Sequence, residues 1–240
     1  MSEFCKLWPG GPLFAQSGHF RLGTDSVLLA DFVNTRGLSR GIDLGCGSGA
    51  IALLLLVKAE KLHMTGLELY AGACDTAREN MAENGLSHRC DIVNGDIRRV
   101  RELYDTGAFD LAVSNPPYFP AGSGKAAANA QRAAARDESA CSMGELCAAT
   151  AFLLKTGGKF FVVHRPERLS QLFCAMSARG IEPKRLRLVE HTAGSAPSLA
   201  LVEGRRGGAG GLIIEPPLVL KAQDGGDSPE IKRIYHMEDV

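Results

Sequence analysis

The sequence predicts an α/β protein: a doubly wound, mostly parallel seven-stranded sheet covered by helices on both faces and finished by an antiparallel hairpin. Three observations carry that reading. From Gly41 onward, short β-branched or apolar runs alternate with amphipathic stretches, the pattern of βαβ units. A glycine-rich segment, GIDLGCGSGA, joins the first of these runs to a helix. Beyond Lys159 two strand-like runs, RLRLVE and SLALVEG, follow one another without an intervening helical segment, as in a hairpin.

Taken in order, about 40 residues precede Gly41, too few for a separate core-bearing domain, and residues 27–32 among them read as a short helix. The first strand, GIDLG from Gly41, leads through the glycine segment into a helix beginning near Ala50. MTGLEL from Met64 is the second strand. Residues 71–83 place apolar or small side chains on one face and Asp75, Arg78, Glu79 and Glu83 elsewhere, and Gly85 follows as a C-terminal cap. CDIVNGD from Cys90, FDLAVSN from Phe109 and KFFVVH from Lys159 are the next three strands, and the hairpin starts at Arg185 and Ser198. Residues 121–136, rich in alanine, and GRRGGAGG at 204–211 read as loops. One domain is expected over 1–240, with an N-terminal segment (1–40), a core (41–165), and a C-terminal helix, hairpin and extension (166–240).

Composition narrows the function. With 27 Lys+Arg against 27 Asp+Glu there is no strong overall field, which excludes a polyelectrolyte-type binder. The longest apolar run, residues 50–57, is far shorter than the roughly 20 residues of a membrane span, and the N-terminus does not read as a secretory signal. Seven cysteines without a Cys-x-x-Cys pair indicate neither a disulfide framework nor a zinc site, so a reducing cytoplasm and no metal are expected. A monomer is the expected oligomeric state.

Glycines 45, 47 and 49 allow the chain to turn sharply and approach a ligand that a Cβ would push away. Gly45, Gly47 and Ala50 also satisfy the dinucleotide spacing G-x-G-x-x-G/A, and Glu68 follows Gly45 by 23 residues, so a nicotinamide-dependent oxidoreductase remains formally open. Glu68 ends the second strand, where a carboxylate accepts hydrogen bonds from ribose hydroxyls. Asp96 ends the third strand, placed for an adenine edge with Ile97 as an apolar floor. Cys46 reads as a small filler of the loop, with no histidine placed to activate it.

Asn115-Pro116-Pro117-Tyr118 stands at the carboxyl end of the fourth strand, in the crevice where open α/β sheets bind ligands. Two prolines fix φ and remove two donors, leaving carbonyls as acceptors. An exocyclic amine on adenine is a poor nucleophile because its lone pair is delocalised into the ring. The Asn115 side-chain oxygen and the Pro116 carbonyl, each accepting one N–H, would favour a more tetrahedral nitrogen, while Tyr118 stacks on the base. Alignment and preorganised dipoles would then supply the rate.

With these motifs the chain resembles the amino-methylating S-adenosylmethionine-dependent enzymes of Rossmann-like fold, and within them the bacterial valine-tRNA adenine-N6-methyltransferase family. The resemblance covers nearly the whole chain, through FRLGTDSVLLADF, DLGCGSGAIALLL, SNPPYF, ARDE, HRPERL, EPKRLRLV and GLIIEPPLVL. It implies methyl transfer to N6 of the purine just 3′ of the anticodon. It also implies cofactor contacts from Asp43, Gly45, Gly47, Glu68 and Asp96, and the target amine at Asn115, Pro116 and Tyr118; Cys46, Gly49, Ile97 and Asn115 are expected to line the same cofactor site. Thr24 and Asp25 are expected near the methionine end of the cofactor or as caps of the first helix. Tyr70 after the ribose acid, and ARDE without a preceding histidine, depart from the pattern.

A tRNA partner needs local basic patches. Residues 121–136 hold Lys125, Arg132 and Arg136 and no acid; residues 184–206 hold Lys184, Arg185, Arg187, Arg205 and Arg206 against Glu190 and Glu203. Arg165 joins them as a candidate RNA contact. The alternatives are glutamine-N5 methylation of a protein, DNA adenine methylation, the oxidoreductase, and an RNA-binding protein without catalysis.

Overall fold

The computed structural model describes residues 3–16, 22–117 and 141–237. Tyr118, Lys125, Arg132, Arg136 and the ARDE segment lie outside the described residues.

Strands β3 (Arg40–Leu44), β4 (His63–Glu68), β5 (Cys90–Asn94), β6 (Phe109–Ser114) and β7 (Leu154–His164) are mutually parallel. β9 (Pro197–Arg206) pairs antiparallel with β7 and with β8 (Ile181–Thr192), giving the order β5-β4-β3-β6-β7-β9-β8. This is the parallel sheet and terminal hairpin that the sequence predicts. The sheet is larger by two short strands, β10 (Ile213–Ile214) and β11 (Leu218–Lys221), both parallel to β8, so nine strands are joined. Apart from it, β1 (Phe4–Lys6) and β2 (Leu13–Ala15) form a two-stranded antiparallel ribbon that the sequence did not announce.

Alternation along the strands builds a core on each face. In β7, Phe161 and Val163 face a core shared with α1 (Thr24–Phe32), α2 (Ala50–Lys58) and Met81 of α3 (Ala71–Glu83). Phe160 and Val162 face the other core, with Val100 of α4 (Val100–Leu103), α5 (Met143–Leu153) and α6 (Leu169–Ser177). Both phenylalanines are fully buried, each contributing on the order of 2–3 kcal/mol. On the first face Ile231 and Ile234 of α7 (Pro229–Ile234) close the core.

Local chemistry sets the helix ends. α3 has the predicted bounds, and Gly85 beyond it has φ +67°. α5 opens with a reciprocal capping box between Ser142 and Glu145. α1 is capped at its C-terminus by Lys58, whose Nζ donates to the carbonyls of Ala30, Asp31 and Val33 at 3.2, 2.8 and 2.8 Å. Its N-cap is Gly23, without a side-chain cap bond. The capping role expected of Thr24 and Asp25 is therefore corrected: both lie inside the first turn. Thr24 instead bonds the Tyr235 hydroxyl, opposing the rise in pKa that burial imposes there.

All seven cysteines are free. Among the described residues no helix is long and apolar enough to cross a membrane, and no three metal-ligating side chains converge.

Candidate active site

The site gathers at the carboxyl ends of β3, β4, β5 and β6. After β3 the chain passes Gly45 (φ +78°), Gly47 (+54°) and Gly49 (+82°) before α2 begins. All three lie in the left-handed region that favours glycine. A Cβ on Gly49 would also come within 3.2 Å of Ala77 and Met81 on α3. The loop is tied to β4, because the Gly45 and Cys46 amides donate to the Leu67 carbonyl and the Gly47 amide to Glu68 Oε2 at 2.9 Å.

Cys46 turns down from this loop onto Gly66, where a Cβ would stand 2.7 Å from its sulfur. Burial, followed by the nearby Asp43 and Glu68 charges, holds its thiol well above the usual range, so it remains protonated. Asp43 lies in β3 beneath the loop with no exposed surface; neither carboxylate oxygen makes a well-formed hydrogen bond, and the Ala52 amide is the backbone donor that acts on it. Desolvation, and then the Glu68 charge, raise its pKa to about 8.

Glu68 is nearly buried. One oxygen accepts from the Gly47 amide and the other from the Tyr70 amide at 3.0 Å. A carboxylate has about four lone-pair sites, so each oxygen keeps capacity for a hydroxyl. Tyr70, the departure from the family pattern, begins α3 with an exposed side chain and supplies this backbone bond. Asp96 caps the turn after β5 and accepts from the Arg98 amide at 2.8 Å and from its guanidinium at 2.6–3.0 Å. The side-chain hydrogen bond from Arg98 is the main reason its carboxyl lies below the usual range, so it is an anionic acceptor. An adenine amine reaching Asp96 would share it with Arg98. Ile97 is the nearest side chain to the Cβ position of Gly45, at 4.0 Å.

Strand pairing brings Asn115 to this loop. Asp43 is opposite Val113, so β3 and β6 end side by side, with Gly45 following one and Asn115 the other. The Ser114 hydroxyl donates to the Leu44 carbonyl at 2.7 Å and pins the two strand ends together. Asn115 and Pro116 are half-buried and Pro117 is exposed. Asn115 Nδ2 donates to Ser26 Oγ on α1 at 3.1 Å, which holds the carboxamide by one end. Ser26 is a contact that the sequence reading missed. On neighbouring β7, His164 is buried, which lowers its pKa, and its Nδ1 accepts the Arg165 amide at 2.8 Å.

The basic candidates have other partners. Arg187 makes a two-pronged pair with Glu230 at 2.8 and 2.7 Å and donates to the Pro216 carbonyl. Arg185 pairs with Glu203 and Glu215, each at 2.7 Å, and lies 4.2 Å over the Phe32 ring. Either would have to leave carboxylates to reach a phosphate. Arg165 donates to the Ser198 carbonyl at 3.1 Å. Lys184 donates to the Ala209 carbonyl and lines a hollow of about 470 Å³ with Thr156, Gly157 and Arg205. That hollow stands by the start of β7, at the opposite end of the strand from His164.

The residues present fit S-adenosyl-L-methionine. The loop of left-handed glycines admits close backbone approach, the buried Asp43 carboxyl lacks a well-formed hydrogen bond, and Glu68 and Asp96 supply acceptors at successive strand ends. Comparison with known proteins gives the same class. A family model described as the methyltransferase small domain matches residues 14–172. A crystal structure of a predicted O-methyltransferase from Agrobacterium tumefaciens shares the fold at TM-score 0.72 and 19% identity, covering 89% of this chain and 96% of that one. TrmN from Thermus thermophilus superposes at TM-score 0.56 and 20% identity, over 75% of this chain and 48% of that one. The protein is thus an S-adenosylmethionine-dependent methyltransferase of Rossmann-like fold.

Sequence relatives narrow the family. The chain is 32% identical to the tRNA1(Val) (adenine(37)-N6)-methyltransferase of Tolumonas auensis, over 88% of this chain and 86% of that protein. It is 33% identical to the protein of the same name in Pseudoalteromonas atlantica, over 65% of this chain and 62% of that protein. The Salmonella typhimurium counterpart is 34% identical over 64% and 61%. The chain belongs to the methyltransferase small domain family and, within it, to the family that these tRNA1(Val) (adenine(37)-N6)-methyltransferases form.

Proposed function

We propose that this protein transfers a methyl group to the exocyclic N6 of an adenine in tRNA, the purine just 3′ of the anticodon, as the names of its relatives specify for them. The observation that carries the reading is Asn115, placed directly after β6 beside the end of β3 that opens the glycine loop, with its carboxamide held by Ser26 at 3.1 Å. S-adenosyl-L-methionine, when bound, supplies an electrophilic methyl group on a sulfonium sulfur. Gly45, Gly47 and Gly49 present a backbone surface to it, Glu68 is assigned the ribose hydroxyls, and Asp96 with Ile97 the adenine ring. Asp43 is assigned a cofactor contact at the buried foot of the loop, beside Glu68.

At the acceptor side, the Asn115 Oδ1 and Pro116 carbonyl oxygens take the two N–H bonds of the target amine. They draw its lone pair out of the ring and aim it at the methyl group. Tyr118 is assigned the stacking face of the base. No strong base is required, since methylation itself acidifies the nitrogen and the proton can leave afterwards; the buried, deprotonation-prone His164 is therefore not called upon. Rate comes from alignment and from dipoles already oriented. An anticodon-loop adenine is unpaired, so turning it out costs less than opening a duplex.

Lys125, Arg132, Arg136 and Arg165 remain the proposed phosphate contacts, and the pairing of Arg185 and Arg187 makes them supports of the hairpin. Free thiols throughout fit work in the cytoplasm, where tRNA is modified. A transcript of valine tRNA should accept methyl groups, whereas the same transcript with guanine in place of the adenine 3′ of the anticodon should not. Equal incorporation into both would reject the assigned position.

A further inference from the structure

Asn80 lies on α3, is fully buried, and belongs to none of the groups assigned above. An asparagine in mid-helix is a poor helix former, so its presence there calls for a reason. Its carboxamide makes three hydrogen bonds, with both Nδ2 donors used. Oδ1 accepts the Ala15 amide at 2.7 Å, and Nδ2 donates to the Ala15 carbonyl at 2.9 Å and to the Ser48 carbonyl at 2.9 Å. The first two bonds imitate a strand partner for β2. The third reaches the middle of the glycine loop, between Gly47 and Gly49.

Four residues on, at the C-cap of α3, Asn84 repeats the first half of this arrangement. It accepts the Leu13 amide at 2.9 Å and donates to the Leu13 carbonyl at 2.7 Å, and its remaining bond goes to the Asn80 carbonyl within the helix. Two asparagines thus hold the N-terminal ribbon on α3, and one of them also holds the cofactor loop. Loss of Nδ2 at position 80 would leave the Ser48 and Ala15 carbonyls buried without that donor, a cost that falls on the loop geometry.

We infer that Asn80 is a positioning residue of the cofactor site, one that clamps the Ser48 carbonyl so that the glycine loop keeps its ligand-ready shape and couples that shape to the docking of β2. The inference rests on the S-adenosylmethionine reading. Asn84→Ala is the internal control, since it loosens the ribbon without touching Ser48.

The test is titration calorimetry with S-adenosylhomocysteine on the full chain, well below the Tm of each variant. Asn80→Ala should weaken binding by about tenfold or more and raise the cofactor KM with kcat held within a few-fold; Asn84→Ala, which disturbs β2 but keeps the Ser48 bond, should weaken it by clearly less, about threefold. Unchanged affinity in Asn80→Ala, or equal weakening in Asn84→Ala, overturns the inference while leaving the cofactor reading intact. Wild-type protein that binds no S-adenosylhomocysteine overturns both. Should Asn80→Ala not fold, hydrogen exchange on wild type decides: ligand should slow the Ala15 and Gly47 amides together, and slowing at Gly47 alone overturns the coupling.

Discussion

Asp43→Asn isolates the most perturbed carboxyl of the site. Its folded-state pKa of about 8 lies above the ordinary 3.8, because burial first and Glu68 second disfavour the charge. The proton-bound form therefore favours folding. That contribution is complete below about pH 3.8 and is lost as pH rises toward about 8. Each unit in this window is worth about 1.4 kcal/mol, so the total is bounded at ~6 kcal/mol, and about 2 kcal/mol of it has gone by pH 5. Asparagine keeps the shape and cannot ionise. Any change of hydrogen bonding in the variant adds an offset that does not vary with pH, so the slope is the informative quantity. Urea unfolding of both proteins should show the variant gaining stability relative to wild type from about pH 5 to about pH 8, then levelling. Parallel stability profiles across that window would refute a buried, largely protonated Asp43.

Asn115→Ala should reduce kcat by at least about 100-fold, since it removes a preorganised acceptor, while S-adenosylhomocysteine affinity stays within a few-fold; a fully active variant removes Asn115 from the chemistry. Glu68→Ala should weaken S-adenosylhomocysteine binding by about tenfold or more, through the lost ribose acceptor and the released Gly47 amide. Unchanged affinity would take Glu68 out of the site. Lys58→Met keeps the buried stem and deletes three bonds to the end of α1, and should cost about 2 kcal/mol, a drop of roughly 4–8 °C in Tm, with methyl transfer intact. An unaltered melting curve would show that the cap contributes nothing.

The sequence discloses those parts of the molecule that repeat a local rule. α3 is legible to the residue because its apolar face ends beside Gly85, and the strands of the parallel sheet are legible as runs that are apolar on both faces. The glycine loop is legible because only a few residue types tolerate positive φ. The Ser142/Glu145 capping box of α5 was also present as S-x-x-E and passed unread. What escapes is pairing across distance. β1 and β2 are three residues each, and β2 is held partly by Asn80 and Asn84, some 65–71 positions away, so no pattern of their own marks them. The +3 balance of residues 184–206 suggested an RNA surface because Glu215 and Glu230, outside that window, are invisible to a local count; folding brings them onto Arg185 and Arg187. Ser26 likewise reaches Asn115 across 89 positions.

The central claim concerns the atom that receives the methyl group. Purified protein incubated with isotopically labelled S-adenosylmethionine and total tRNA, followed by digestion to nucleosides and mass spectrometry, reads that atom and its carrier together. The account predicts label in N6-methyladenosine from the tRNA fraction, absent with Asn115→Ala. Label confined to another nucleoside, or to glutamine of a protein supplied in the same reaction, would contradict it.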